Sequence, residues 1–275
     1  MNRHIDSVGL EALQQTISES QAAIQEHLEA ELTRMGSSAA VVAHMRTMRL
    51  YFRVPFMLCT WLVEDRRRDV EAALGEHLLA MKLLDDIVDR DSGLEHLDLL
   101  STYFLVQNLA VRHLCELADD AGAVTRVLDE ELAAVTTGQV MTKRHPARSL
   151  RQWRSHADSY GGRFLGLYGT LACLAGHRSD AVAAARSFGY AFGLIITMAD
   201  DWRDYERHGE RVGNLRHLLV SGQTPVEDAV RDVERLRDQA LRAARASAPA
   251  DDLSPLVNSY ADDVVACFDS ALVQQ

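Results

Sequence analysis

Helical periodicity runs the length of this sequence. Apolar residues recur at intervals of three and four, and strand-like alternation bounded by Gly or Pro is almost absent. The chain therefore reads as all-α. The pattern predicts helices over 8–34, 38–63, 66–90, 95–118, 121–142, 149–176, 179–207, 224–247 and 254–271. Gly36-Ser37-Ser38, Asp91-Ser92-Gly93, His145-Pro146 and the pair Gly209 and Gly213 supply the breaks. Pro55 falls inside a helical pattern and predicts a kink or a break there. This is more helix than a four-helix bundle uses, so a larger bundle around a central apolar cavity is expected. The polar connections are short, so residues 1–275 read as a single domain. Its core covers about 40–222, followed by C-terminal helices over 224–271, the last of which suits docking or oligomer contacts.

The bulk properties exclude several classes. The chain of 275 residues is 47% apolar and 25% charged, as soluble globular proteins are. Its net charge of −11 argues against a nucleic-acid partner. An acidic protein that binds a polyphosphate needs metal ions or a local basic cluster. Cys59, Cys115, Cys173 and Cys267 are widely spaced and form no CxxC pair, as expected of reduced core thiols in a cytoplasmic protein. MNRHIDSVGLEALQQ has no apolar stretch of signal-peptide type. No apolar run reaches the roughly 18 residues of a membrane span. A lipid substrate is then met from the side, with the protein peripheral to the membrane.

Two aspartate clusters carry the chemistry. Asp85-Asp86-Ile87-Val88-Asp89 follows the apolar stretch HLLAMKLL, and Asp200-Asp201-Trp202-Arg203-Asp204 follows FGLIITMA. Both have the spacing DDxxD, which puts the first and third carboxylates on one helix face. Both are expected in the last turns of their helices. There the helix dipole is negative and further negative charge is unfavourable. Two matched, costly clusters are better explained by cation binding than by stability. Carboxylate oxygens suit Mg²⁺, which also takes phosphate oxygens. Asp85, Asp86, Asp89, Asp200, Asp201 and Asp204 are thus the candidate metal ligands and catalytic residues. A metal cluster on two carboxylate sets, facing each other across the cavity, can grip an allylic diphosphate and promote its ionisation.

Basic and apolar residues fill out the expected site. Arg53, Lys143, Arg144 and Arg211 are candidate diphosphate contacts, with Arg207 beside them. Gln139 and Lys143 share a helix face, as do Arg49 and Arg53, and Lys82 stands one turn before Asp86. Arg49, Phe56, His77, Met81, Gln139, Phe164 and Tyr168 are candidates to line the substrate pocket. The stretch GGRFLGLYGTLACLAG reads as close helix packing and not as a phosphate loop, because no strand precedes it.

The double DDxxD motif, Gly138-Gln139 and the segment DDWRDYERHGERVGNL resemble the trans-isoprenyl diphosphate synthase family, over roughly residues 40–222. The resemblance implies the class I isoprenoid synthase bundle and Mg²⁺-dependent prenyl transfer. It also has gaps. The upstream Gly-Lys-Arg that binds the isopentenyl diphosphate acceptor is replaced by MRTMRLYFRVP, and the Arg-Arg-Gly after the first motif by DRDSGLEHL. MRLYFRVP, MKLLDDIVDRDSGLE, GQVMTKR, LRQWRSHADSYGGRFLGLYG and TMADDWRDYERHGERVGNL are similar to the moenomycin-type prenyltransferases of antibiotic biosynthesis within that family. That resemblance implies geranyl diphosphate as donor and the farnesyl chain of a phosphoglycolipid as acceptor. The product is then a rearranged C25 lipid; apart from the resemblance, a homo-oligomer is expected. An ordinary trans-prenyl diphosphate synthase and a class I terpene cyclase are the alternatives.

Overall fold

A computed structural model of the chain is all-α, with no strand among the described residues. The structure describes every residue except 1–2, 90–91, 210, 247–248, 250 and 273–275, and describes side chains except also those of 3–9, 49–50, 89, 208 and 269–272. The helices are α1 (Arg3–Arg34), α2 (Ala39–Thr47), α3 (Arg53–Leu58), α4 (Glu64–Asp89), α5 (His96–Leu117) and α6 (Ala121–Arg144). They continue as α7 (Leu150–Ala157), α8 (Arg163–Ala175), α9 (Val182–His208), α10 (Leu215–Val220), α11 (Val226–Ala246) and α12 (Ser254–Leu272).

Most predicted helices are present, and the differences have local causes. The stretch expected as one helix over 38–63 is α2, a 3₁₀ turn at Arg49–Phe52, and α3. Pro55 stands in the first turn of α3, where its missing N–H costs no helical bond, so the break falls before it. The stretch expected over 149–176 contains a π-helical turn at Asp158–Gly162 between α7 and α8. α10 was not expected. Six residues are too few to show a period, and it is set by Asn214, whose Oδ1 accepts from the His217 N–H at 3.3 Å.

The chain divides into two compact units. One comprises Val8–Arg126 and Leu171–Ser179. Here α4 packs along α5, and α1 meets α4 at Gly75, where a Cβ would lie 2.5 Å from Ile24 Cγ2. The other comprises Met1–Ser7, Val127–Thr170 and Asp180–Gln275. Here α9 packs against α11, α12 and the π turn. Backbones come into contact in this unit. A Cβ on Gly169 would lie 2.3 Å from the Ala185 carbonyl oxygen, and one on Gly189 2.2 Å from that of Leu165. The glycine-rich stretch thus serves helix packing.

α9 also corrects one expectation. Within Val182–Arg207 it holds a window long and apolar enough to cross a bilayer by length and composition, though 56% of that window is buried in the protein. Its apolar surface is used in packing.

Candidate active site

In the first unit the aspartate motif closes α4. Val70, Leu74, Leu78, Leu79 and Leu83 are buried, and the helix is enclosed on all sides over residues 73–80. Its last turn has no basic residue, so the carboxylates stand against the negative end of the dipole. Lys82, one turn earlier, compensates. Its Nζ lies 2.7 Å from Asp85 Oδ2 and 3.0 Å from Asp86 Oδ1. The other oxygen of Asp86 is 2.6 Å from His44 Nε2, brought in by α2. Asp86 is buried, whereas Asp85 keeps a third of its side chain exposed. The Lys82 ammonium also lies 5.6 Å from the Tyr51 ring centroid, within cation–π reach. Burial works against the charge of Lys82, but Asp85 and Asp86 more than offset it and raise its pKa above the ordinary lysine value.

The other candidates of this unit separate into two groups. Arg53 on α3 is half-buried, and its Nε has no hydrogen-bond partner among the described residues, so it retains capacity for an anion. Met81 is half-buried beside Lys82 in sequence. Phe56 is fully buried with the Arg67 guanidinium 4.1 Å from its ring centroid, an arrangement of the core. His77 is fully buried, and burial lowers its pKa to about 4, so it is neutral at physiological pH. The side chains of Arg49 and Asp89 lie outside the described residues.

In the second unit the motif lies on α9, five to nine residues before Gly209 ends that helix with φ +66°. Its carboxylates have unlike surroundings. Asp201 Oδ2 accepts from the Trp153 indole N–H at 2.7 Å and from the Leu215 backbone N–H at 2.6 Å. The Asn214 side-chain amide donates to the Asp201 carbonyl at 2.7 Å. Asp201 therefore ties α7 and the start of α10 to α9. Burial pushes the pKa of Asp200 up to about 6. Arg203, donating to Asp200 Oδ1 at 2.6 Å, works against this, and Asp204 adds to it. Below the motif, Arg216 is sandwiched by Trp202 and Tyr205, 4.1 and 4.7 Å from their ring centroids, and pairs with Glu206 at 2.6 Å.

Of the remaining candidates in this unit, Lys143, Arg144, Arg207 and Arg211 are exposed and Gln139 is half-buried. Gly138 before it packs tightly, since a Cβ there would lie 2.1 Å from Ser159 Cβ. Arg211, Arg148 and His217 border a surface depression of about 250 Å³. Phe164 is half-buried and meets Tyr168 edge-on at 4.9 Å, while Tyr168 is a fully buried core residue.

These helices follow a known arrangement. An FPP/GFPP synthase from Zymomonas mobilis matches with a TM-score of 0.64 over 93% of this chain and 100% of its own, at 17% identity. A geranylgeranyl pyrophosphate synthetase from the archaeon Geoglobus acetivorans matches with a TM-score of 0.59 over 94% and 91%, at 12% identity. The fold is that of the class I isoprenoid synthases. A geranylgeranyl pyrophosphate synthase from Lactobacillus brevis gives the same TM-score of 0.59, over 94% and 90%, at 14% identity. No protein-family model and no curated protein matches the sequence. At such identities the likeness establishes the fold alone.

The aspartate motifs are expected, from their sequence, to take Mg²⁺. Asp85, Asp86, Asp200 and Asp204 offer the hard carboxylate oxygens this ion takes. Among the described residues, no three His, Cys, Asp or Glu side chains are already gathered to hold a metal. The Asp85–Asp86 pair is instead closed around an ammonium, so the oxygens already accommodate one cation. The donors fit in kind. His44, Trp153 and Arg216 were not anticipated as partners of the motifs. Each meets its motif through a long-range or irregular contact that no local spacing encodes.

Proposed function

We propose that the chain is a Mg²⁺-dependent prenyltransferase that takes a geranyl unit from geranyl diphosphate and joins it to the farnesyl chain of a moenomycin-type phosphoglycolipid. The carrying observation is the Asp85–Asp86 pair, ion-paired with the Lys82 ammonium at the end of α4, in a prenyl diphosphate synthase fold. Mg²⁺, when bound, supplies positive charge to the leaving diphosphate. Asp85 and Asp86 are the residues to hold it, with Asp89, and Asp200 and Asp204 are the second set. Asp201 contributes by fixing α9 against α7 and α10. Arg53 donates from its unsatisfied Nε to a diphosphate oxygen. His77, neutral and buried, adds no charge near an allylic cation.

The acceptor is argued from the sequence. Both basic segments expected for isopentenyl diphosphate are replaced, by MRTMRLYFRVP and DRDSGLEHL. A lipid alkene needs neither. Its π electrons attack the allylic carbon, and no covalent enzyme intermediate is required. A lipid acceptor also brings this cytoplasmic protein, as a homo-oligomer, to a membrane surface.

The test supplies the protein with geranyl diphosphate, Mg²⁺ and a farnesylated phosphoglycolipid, and follows C25 lipid by mass spectrometry. Consumption of isopentenyl diphosphate without C25 lipid overturns the acceptor. Release of terpene without any acceptor points to a cyclase. The double variant Asp85→Ala/Asp86→Ala should keep the wild-type circular dichroism and lose turnover by about 10³-fold or more, roughly 4 kcal/mol of transition-state stabilisation. Retained turnover removes this site from the reaction.

A further inference from the structure

The inference below rests on the reading of Asp85 and Asp86 as metal ligands. Lys82 presents its ammonium to Asp85 Oδ2 and Asp86 Oδ1, one oxygen of each of the two carboxylates that would hold the metal. His44 occupies the remaining oxygen of Asp86. A divalent ion and this ammonium compete for these oxygens, because two positive charges in contact with the same carboxylates repel each other. We propose that Lys82 is a resident cation exchanged for the divalent metal, so that its departure sets the metal affinity of the first aspartate motif.

Three features fit this role. Lysine is a compact point charge on a flexible four-carbon stem, able to leave by rotating its own torsions. Arginine in the same place would grip both carboxylates with its planar fork and release them less easily. The chain otherwise favours arginine. Of its 29 Lys+Arg residues the only lysines are Lys82 and Lys143. Finally, the face of Tyr51, a half-exposed ring, lies close enough to receive the displaced ammonium by a cation–π contact. Lys82 thus keeps two adjacent carboxylates together until the metal arrives.

The test uses the full chain and Mn²⁺, an ion of similar oxygen-ligand preference, with binding read from the electron paramagnetic resonance signal of the free ion. Lys82→Met should bind Mn²⁺ about tenfold tighter than wild type, and Lys82→Arg more weakly. The double variant Asp85→Asn/Asp86→Asn should lose the site. If the double variant loses it and Lys82→Met binds no tighter, the role of Lys82 is overturned and the metal reading stands. If the double variant binds as wild type does, the metal reading is wrong and the inference falls with it. A second measurement needs no variant at Lys82. Acetic anhydride labelling of wild type, read by mass spectrometry, should increase at Lys82 relative to Lys143 when Mn²⁺ is added. Unchanged labelling overturns the exchange.

Discussion

Asp201 and Asp86 occupy the same place in two identical spacings and do different work. Asp86 is engaged by two ionisable side chains, Lys82 and His44. Asp201 is engaged by an indole N–H and a backbone N–H, both through one oxygen. Removing that oxygen strands two donors, each costing about 1–3 kcal/mol when buried. Asp201→Ala should therefore lower stability by about 2–4 kcal/mol in urea unfolding. Asp201→Asn, which keeps a carbonyl oxygen to accept, should cost less. Equal losses for the two variants would mean that the hydrogen bonds are not what holds α7 and α10 to α9. The aspartates themselves were legible in the sequence, because DDxxD after an apolar run is a local pattern. Their division of labour was not. Trp153 and Asp201 are 48 residues apart, and His44 and Asp86 are 42 apart, and no local spacing encodes such pairs.

Among elements, legibility followed length. Long helices with a sustained apolar face, such as α4, α5 and α11, were placed within a few residues, because burial selects one periodicity over many turns. The 3₁₀ turn at Arg49–Phe52, the π turn at Asp158–Gly162 and α10 were missed, since each is set by one or two contacts and not by a period. A second feature of this scale is a buried junction of three helices. Glu76 on α4 is fully buried. It meets His27 of α1 at 2.7 Å and His113 of α5 at 2.9 Å. The hydrogen bond to Glu76 raises the pKa of His27, burial opposes it, and the charges of Glu76 and Glu31 add to the rise. Arg112 lies beside His113, 3.4 Å from its Nε2. A raised pKa means the folded state binds the proton more tightly than the unfolded chain. This contribution is complete below the ordinary value of 6.5 and is lost as pH rises through the raised value. The melting temperature should fall as pH increases above 6.5, and His27→Gln should flatten that part of the profile. A profile with the same slope in the variant would show that other groups govern it.

The charge of the whole molecule sets the background for the proposed metal binding. A net charge of −11 disfavours the compact state through self-repulsion, and any added salt weakens that repulsion by screening. Mg²⁺ therefore acts in two ways, as a screening ion and as a ligand, and only the second depends on particular carboxylates. The two are separated by comparing MgCl₂ with NaCl at matched ionic strength. A ligand that binds only the folded state at about a hundred times its Kd contributes about 2.7 kcal/mol. For a chain of this size that is a rise of roughly 5 °C or more in melting temperature. Wild type should show this excess in MgCl₂ over NaCl. The variant Asp85→Asn/Asp86→Asn should keep the screening response and lose the excess. Its own melting temperature in NaCl should change less than the wild-type excess, because the substitution removes the ion pairs of Lys82 and two adjacent negative charges together. If instead the variant gains as much from MgCl₂ as wild type does, the ion is held by the diffuse negative surface and not by the first aspartate motif.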